Sequence, residues 1–112
     1  MGKMKEYKNI IKTLLESEAK ITNSDMPSVK NKLVTDDSSG NFILLTMGWH
    51  NKRYKHYVQY HIEVTDNKIW IHQDNTDVGI AYELEKSGIP RSVMVLGFIP
   101  DYARDTSGFA IA

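Results

Sequence analysis

The sequence contains no cysteine, which excludes disulfides, thiolate metal sites and cysteine nucleophiles together and suits a reducing compartment. It also lacks any run of about 20 apolar residues of the kind that spans a bilayer. The opening stretch MGKMKEYKNIIKTLLESEAK mixes charged with apolar residues and has no continuous apolar core of signal-peptide type. Gly2 follows Met1, but Glu6 stands where a myristoylation signal wants serine or threonine. The expectation is a soluble, unexported, cytoplasmic protein. Net charge is absent too: 14 Lys and Arg balance 14 Asp and Glu, so no global attraction toward nucleic acid or anionic membrane follows. Missing as well are a GxSxG elbow, a Gly-rich phosphate loop and an HExxH pair. The acidic-x-lysine triplet Glu18, Ala19, Lys20 falls in a predicted helix, away from the strand on which Mg²⁺-dependent nuclease chemistry would need it. No catalytic residue, metal or cofactor is assigned.

What is present fits one domain, residues 1–112, with 41% hydrophobic and 25% charged residues, ordinary globular proportions. Met4, Tyr7, Ile10, Ile11, Leu14 and Leu15 recur at helical steps and predict an amphipathic helix over 3–20. Asn23, Ser24, Asp25, Pro27 and Ser28 make a turn-rich break. A short strand near Leu33 and Val34 and a polar turn at 36–40 lead into a strand from Phe42 to Trp49 that is apolar on both faces, and so is expected to be covered on both.

A hairpin at 50–53 opens a period-two segment, with Tyr54, His56, Val58, Tyr60, Ile62 and Val64 expected on one face. Asp66 and Asn67 suit the positive φ of a tight turn. If they form it, Val64 faces Ile69, Ile62 faces Ile71, Glu63 faces Trp70 and His61 faces His72. A helix follows, with Thr76 as N-cap, Asp77 at its positive end, an Ile80, Ala81, Leu84 stripe, and Gly88 and Pro90 as stop signals. A last strand is predicted over 93–98. The fold class is α+β: an antiparallel β-meander flanked by an N-terminal helix and a second helix after the third or fourth strand.

Four groups of residues could carry function. His61 and His72, with Glu63 and Asp74, could gather for zinc, although cross-strand polar pairs are common on sheet faces. His56 reads as a hydrogen-bonded core histidine. The helix-start motif Asp74, Thr76, Asp77, Gly79 could bind a ligand or simply cap. Lys52, Arg53 and Lys55, interleaved with Tyr54 and Tyr57, form a basic and aromatic hairpin that could touch nucleic-acid phosphates, although binders usually show a broader basic footprint. Finally, Phe42, Leu44, Tyr57 and Trp70 are expected opposite Ile43, Leu45, Val58, Tyr60 and Ile62. With His61 and His72 they make a candidate dimer or partner interface, and a homodimer is the expected assembly.

The run from Met47 to Phe98 and the ending TSGFAIA resemble the XisI family. The resemblance rests on Gly48 and Trp49; His56 and His61; Lys68 to Gln73; Asp74, Thr76, Asp77, Gly79, Ile80 and Ala81; Glu83 and Leu84; Gly88 to Arg91; Val95 to Phe98; and Phe109 to Ala112. It is strong over about two thirds of the chain and looser in the first helix. Three residues depart from the pattern: Ile99 where a histidine is expected, His72 where glutamine is usual, and Tyr57 where a small residue is usual. The Ile99 change argues against a catalytic histidine there.

The resemblance implies a controlling factor for excision of the fdxN element, a piece of DNA removed during heterocyst differentiation in cyanobacteria. Such a factor acts beside a site-specific recombinase and a companion, XisH, whose own relatives look like restriction-endonuclease folds. It further implies an accessory role without strand cleavage, exercised through protein contacts. Two other roles stay open: a partner that restrains an XisH-like nuclease in a defence or toxin-antitoxin-type pair, and a weak DNA-binding module.

Overall fold

The computed structural model describes residues 2–21, 25–75 and 79–112. Helix α1 (Gly2–Ala19) leads into strands β1 (Val29–Asp36), β2 (Asn41–His50), β3 (Arg53–Thr65) and β4 (Lys68–Asp74), then helix α2 (Gly79–Lys86) and a short strand β5 (Met94–Leu96). Short 3₁₀ helices, one turn at Arg91–Val93 and two at Asp101–Thr106, flank β5. The expected residues Asn23, Ser24, Thr76 and Asp77 lie outside the described segments.

The sheet runs in chain order, β1-β2-β3-β4-β5. The first four strands form the predicted antiparallel meander, whereas β5 lies parallel to β4 because α2 carries the chain back across the sheet. The final strand is shorter than the sequence suggests, and the Asp101–Thr106 turn was not foreseen.

Both helices pack on the same face of this sheet. Tyr7, Ile11 and Leu15, spaced four apart on α1, meet Phe42, Leu44, Tyr60, Ile62 and Val64. Ile80, Ala81 and Leu84 of α2 close over Ile69, Ile71, Met94 and Leu96 in the same cluster. At roughly 1.5–3 kcal/mol for each large apolar side chain removed from water, this single core supplies the main drive to fold.

Two bulges set which residues reach it. In the β2–β3 pair Leu44 faces Tyr60 but Leu45 faces Val58, so Gln59 is the extra residue. Tyr60, Ile62 and Val64 therefore point into the core, while Val58 and His56 point to the other side; the unbroken alternation expected from Tyr54 to Val64 is split at Gln59. A second bulge leaves His72 unpaired, with His61 opposite Gln73, so the expected His61–His72 register is replaced, whereas the Val64–Ile69, Glu63–Trp70 and Ile62–Ile71 pairs form as expected.

Polar side chains hold the first bulge to α1. The Thr46 hydroxyl, buried in the sheet, donates to Asn31 Oδ1 at 2.8 Å and lies 3.0 Å from the Gln59 amide. The Asn31 amide in turn donates to the carbonyls of Glu18, in the last turn of α1, and Ile21, just beyond it. At the start of α2 the Asp74 carboxylate accepts from the Ile80 N–H at 2.9 Å. Among the described residues the carboxylate that caps this helix is therefore Asp74, two positions before the Thr76 that the sequence pattern suggests.

The turns obey local chemistry. Asn51 and Lys52 take φ of 50° and 66°, Asp66 and Asn67 take 50° and 61°, the two-residue geometry that matches strand twist. At Gly48, φ is 142° and a Cβ would sit 2.1 Å from the Ser28 carbonyl oxygen, where the chain crosses β2 before entering β1.

Gly48→Ala should therefore cost about 2–4 kcal/mol in urea unfolding. Lys52→Gly should instead stabilise by up to about 1 kcal/mol, because it relieves a left-handed backbone at a lysine. Unchanged midpoints in both variants would contradict the turn geometry.

Candidate interaction face and hairpin tip

With both helices on one side, the other side of the sheet lies open. Register places Lys30, Lys32 and Val34 of β1, Ile43, Leu45 and Met47 of β2, His56, Val58, His61 and Glu63 of β3, and Trp70 and His72 of β4 on it. The apolar centre of this face is only half-buried, and Val34 is exposed. The expectation that β2 is covered on both faces does not hold: Phe42, Leu44 and Thr46 are buried, while Ile43, Leu45 and Met47 alternate with them toward the open side.

At the β4 end of this face, rings are layered. Trp70 and His72 stack at 6.1 Å with planes 16° apart, Arg104 from the last 3₁₀ turn sits 5.1 Å above the Trp70 ring, and His61 approaches His72 with centroids 4.9 Å apart. His72 Nε2 donates to the Glu63 carboxylate at 2.9 Å. Asn41 donates its amide to Ser39, so its oxygen is left to accept from His61 Nε2–H at 2.8 Å, which fixes the His61 tautomer. Burial first, and then the neighbouring His72, hold the His61 pKa below the ordinary 6.5, against the pull of Glu63.

At the other end the β2–β3 hairpin projects past the start of β1. Its tip carries Trp49 and Tyr54, directly paired across the strands, 61% and 54% exposed, with ring centroids 5.2 Å apart. His56 stacks beneath Tyr54 at 6.1 Å.

The structure sorts the candidate residues as follows. Phe42 and Leu44 are fully buried beneath α1, so they belong to the core and not to an interface. Tyr57 pairs with Thr46 on the helix side of the sheet, opposite Trp70, because the Gln59 bulge lies between them. His61, Trp70 and His72 do come together, on the open face. His56 is exposed beside Tyr54 and is not a core residue. Lys52 is at the tip, with Arg53 beside it; Arg53 and Lys55 project from the side of the ribbon opposite Trp49 and Tyr54. Asp74 is turned to the helix side as a cap and Gly79 opens α2, while Thr76 and Asp77 lie outside the described residues.

Among the described residues no three His, Cys, Asp or Glu side chains are grouped so that they could hold a metal ion, and Asp74 is turned away from the histidines to the helix side. No described helix is long and apolar enough to cross a membrane. The groove along α1 formed by Ile10, Thr13, Leu14, Ser17 and Ser87 has a single carboxylate, Glu6, in its lining. Trp49, Lys30 and Lys32 escaped sequence reasoning, yet Trp49 was readable: a two-residue turn at 51–52 dictates that residue 49 faces residue 54.

A two-layer α+β protein, with one sheet face packed and one presented, is what this geometry defines. The family model for XisI protein matches residues 1–111, and the chain belongs to that family. A XisI-like protein from Anabaena variabilis ATCC 29413 superposes with a TM-score of 0.84 at 27% identity, over 97% of this chain and 99% of that one. The fdxN element excision controlling factor XisI from the same organism does so with 0.82 at 28%, over 98% and 99%. No curated protein sequence matches the chain.

The lowered His61 pKa makes stability pH-dependent in a definite direction. Below 6.5 the unfolded chain takes up a proton that the folded ring resists, so stability falls as pH drops through that value and levels off once the folded ring also titrates. His61→Asn should flatten this part of the curve in urea midpoints measured between about pH 7.5 and about pH 5. An identical fall in both proteins would assign the effect to other groups.

Proposed function

We propose that this chain is a non-enzymatic accessory factor that controls excision of a DNA element of the fdxN type, working through protein contacts made by the open sheet face. The carrying observation is that face: in a fold whose two helices share one side, an apolar strip from Val34 through Ile43, Leu45 and Val58 to Trp70 is left half-exposed. Membership of the XisI family and likeness to a fold neighbour named as an excision controlling factor give the strip its biological setting.

At about 4.8 Å between strands and about 3.3 Å per residue, the face measures roughly 20 by 25 Å. That approaches the area one partner gives to a standard interface. In our reading a second copy of the chain covers it, and the dimer engages an XisH-like protein and a site-specific recombinase. The charged rim and apolar centre have the anatomy of such contacts.

The test is the mass in solution by light scattering, with and without an XisH-like protein from the same genome. Wild type should run at twice its 12.8 kDa and form a larger complex. Leu45→Glu, which puts a charge in the half-exposed centre, should weaken both by at least about tenfold and abolish element excision in a reporter strain, while leaving the circular dichroism spectrum unchanged. A monomeric wild type that ignores the partner would overturn the proposal.

A further inference from the structure

We propose that the tip of the β2–β3 hairpin binds single-stranded nucleic acid, with bases stacking on Trp49 and Tyr54 and phosphates neutralised by Lys52 at the tip and by Lys30 and Lys32 of β1. The inference goes beyond the accessory-factor reading and centres on the hairpin tip, sharing only the β1 lysines with the open face, and it is tested with purified protein alone.

Charge is the first support. The chain is neutral, yet between Asp37 and Glu63 no acidic residue occurs, while Lys52, Arg53, Lys55 and three histidines do. The fold adds to this what sequence distance conceals. Lys30 faces Met47 and Lys32 faces Leu45, which places both exposed lysines on the same side of the sheet as Trp49 and Tyr54. The carboxylates that register puts on that side, Asp36 and Glu63, sit at the far end of β2, and each is engaged: Asp36 by Ser38 and Ser39, Glu63 by His72. Arg53 and Lys55, on the reverse of the ribbon, deepen the positive potential without sharing the aromatic side.

Exposed rings are the second support. Trp49, Tyr54 and His56 form a continuous aromatic step on a projecting hairpin, well exposed at Trp49 and Tyr54 where water would ordinarily exclude it. Such a step offers π-faces to planar ligands, and every unpaired base has one. A duplex hides those faces in its own stack, and an acidic peptide without aromatic residues has no ring to offer, so either would use the lysines and leave the rings idle.

The third support is Lys52 itself. It occupies, at φ 66°, the second turn position where glycine is the unstrained choice. A cation in that strained conformation, at the exposed tip of the hairpin, is the kind of outlier from which a contact role is inferred.

The experiment is a fluorescence anisotropy titration of a labelled oligothymidylate of about 12 nucleotides. An oligouridylate in parallel tells a DNA from an RNA strand, since either carries the required bases and phosphates. A blunt duplex of the same length and polyglutamate are the controls. Single strands should bind most tightly. Three lysine contacts predict a salt slope of roughly −2, or about a fifteenfold loss between about 50 and about 200 mM salt.

Trp49→Ala combined with Tyr54→Ala, both at exposed positions, should weaken binding about tenfold or more with an unchanged melting curve. Lys52→Gly should weaken binding and lower the salt slope by about 0.7, although the same change stabilises the fold. Equal or tighter binding of duplex or polyglutamate, or indifference to the ring substitutions or to Lys52→Gly, would overturn the proposal. Loss of the dimer in a charge-neutral face variant, Ile43→Asn, which faces Val34 and His61 and not the lysines, without loss of strand binding would show that the two surfaces fail separately.

Discussion

Everything in this molecule follows from a shortage of cover. A five-stranded sheet has two faces to hide, and the chain provides two helices, both of which its topology delivers to the same one. The first arrives directly from the N-terminus and lies on β1 and β2; the second is the crossover that lets β5 run parallel to β4. Their shared core buries Ile11, Leu15, Phe42, Leu44, Ile62, Ile71, Ile80 and Leu84 completely. What remains, the opposite face, is mixed: lysines on β1, histidines and a glutamate on β3 and β4, with the apolar residues confined between them.

The bulge at Gln59 is what makes such a division possible within one strand. Without it, β3 would present Tyr54, His56, Val58, Tyr60, Ile62 and Val64 to a single side, and either the core would have to take in a histidine or the open face would receive the whole apolar row. One extra residue re-aims half the strand. Its position is secured by a chain of polar groups running from Gln59 through Thr46 and Asn31 to carbonyls at and just past the end of α1, so the helix end and the strand irregularity hold each other in place.

This also marks the limit of what the residues alone reveal. The positive-φ turn at 66–67 is legible because aspartate and asparagine there leave few alternatives, and the β3–β4 register follows from it as far as Ile62; for the first hairpin only its place at 50–53 is legible, since a lysine at position 52 does not announce a left-handed backbone. Helix α1 was legible from its spacing. The assignment of faces was not, because a bulge adds a residue without adding a characteristic side chain: Gln59 reads as one more member of an alternating strand. Phe42 and Leu44 were consequently set on the open face, and Tyr57 beside Trp70. Nor does any local pattern reveal that two helices will share a face, since each is amphipathic whichever side of the sheet it meets.

The tail has a consequence for assembly. Ala110 hydrogen-bonds to the carbonyls of Arg91 and Met94 and bridges Val95, so the outer rim of β5 is occupied by the chain's own ending. Among the described strands, β1 is the one that keeps an unpaired row of backbone groups. A sheet with two bare rims can grow by addition at either side without end, whereas one with a single bare rim closes as soon as two such rims meet. Joining through strand edges is thereby self-terminating: it yields at most a pair of molecules with a continuous sheet, and the fibre that an unguarded sheet would seed has no second place to start.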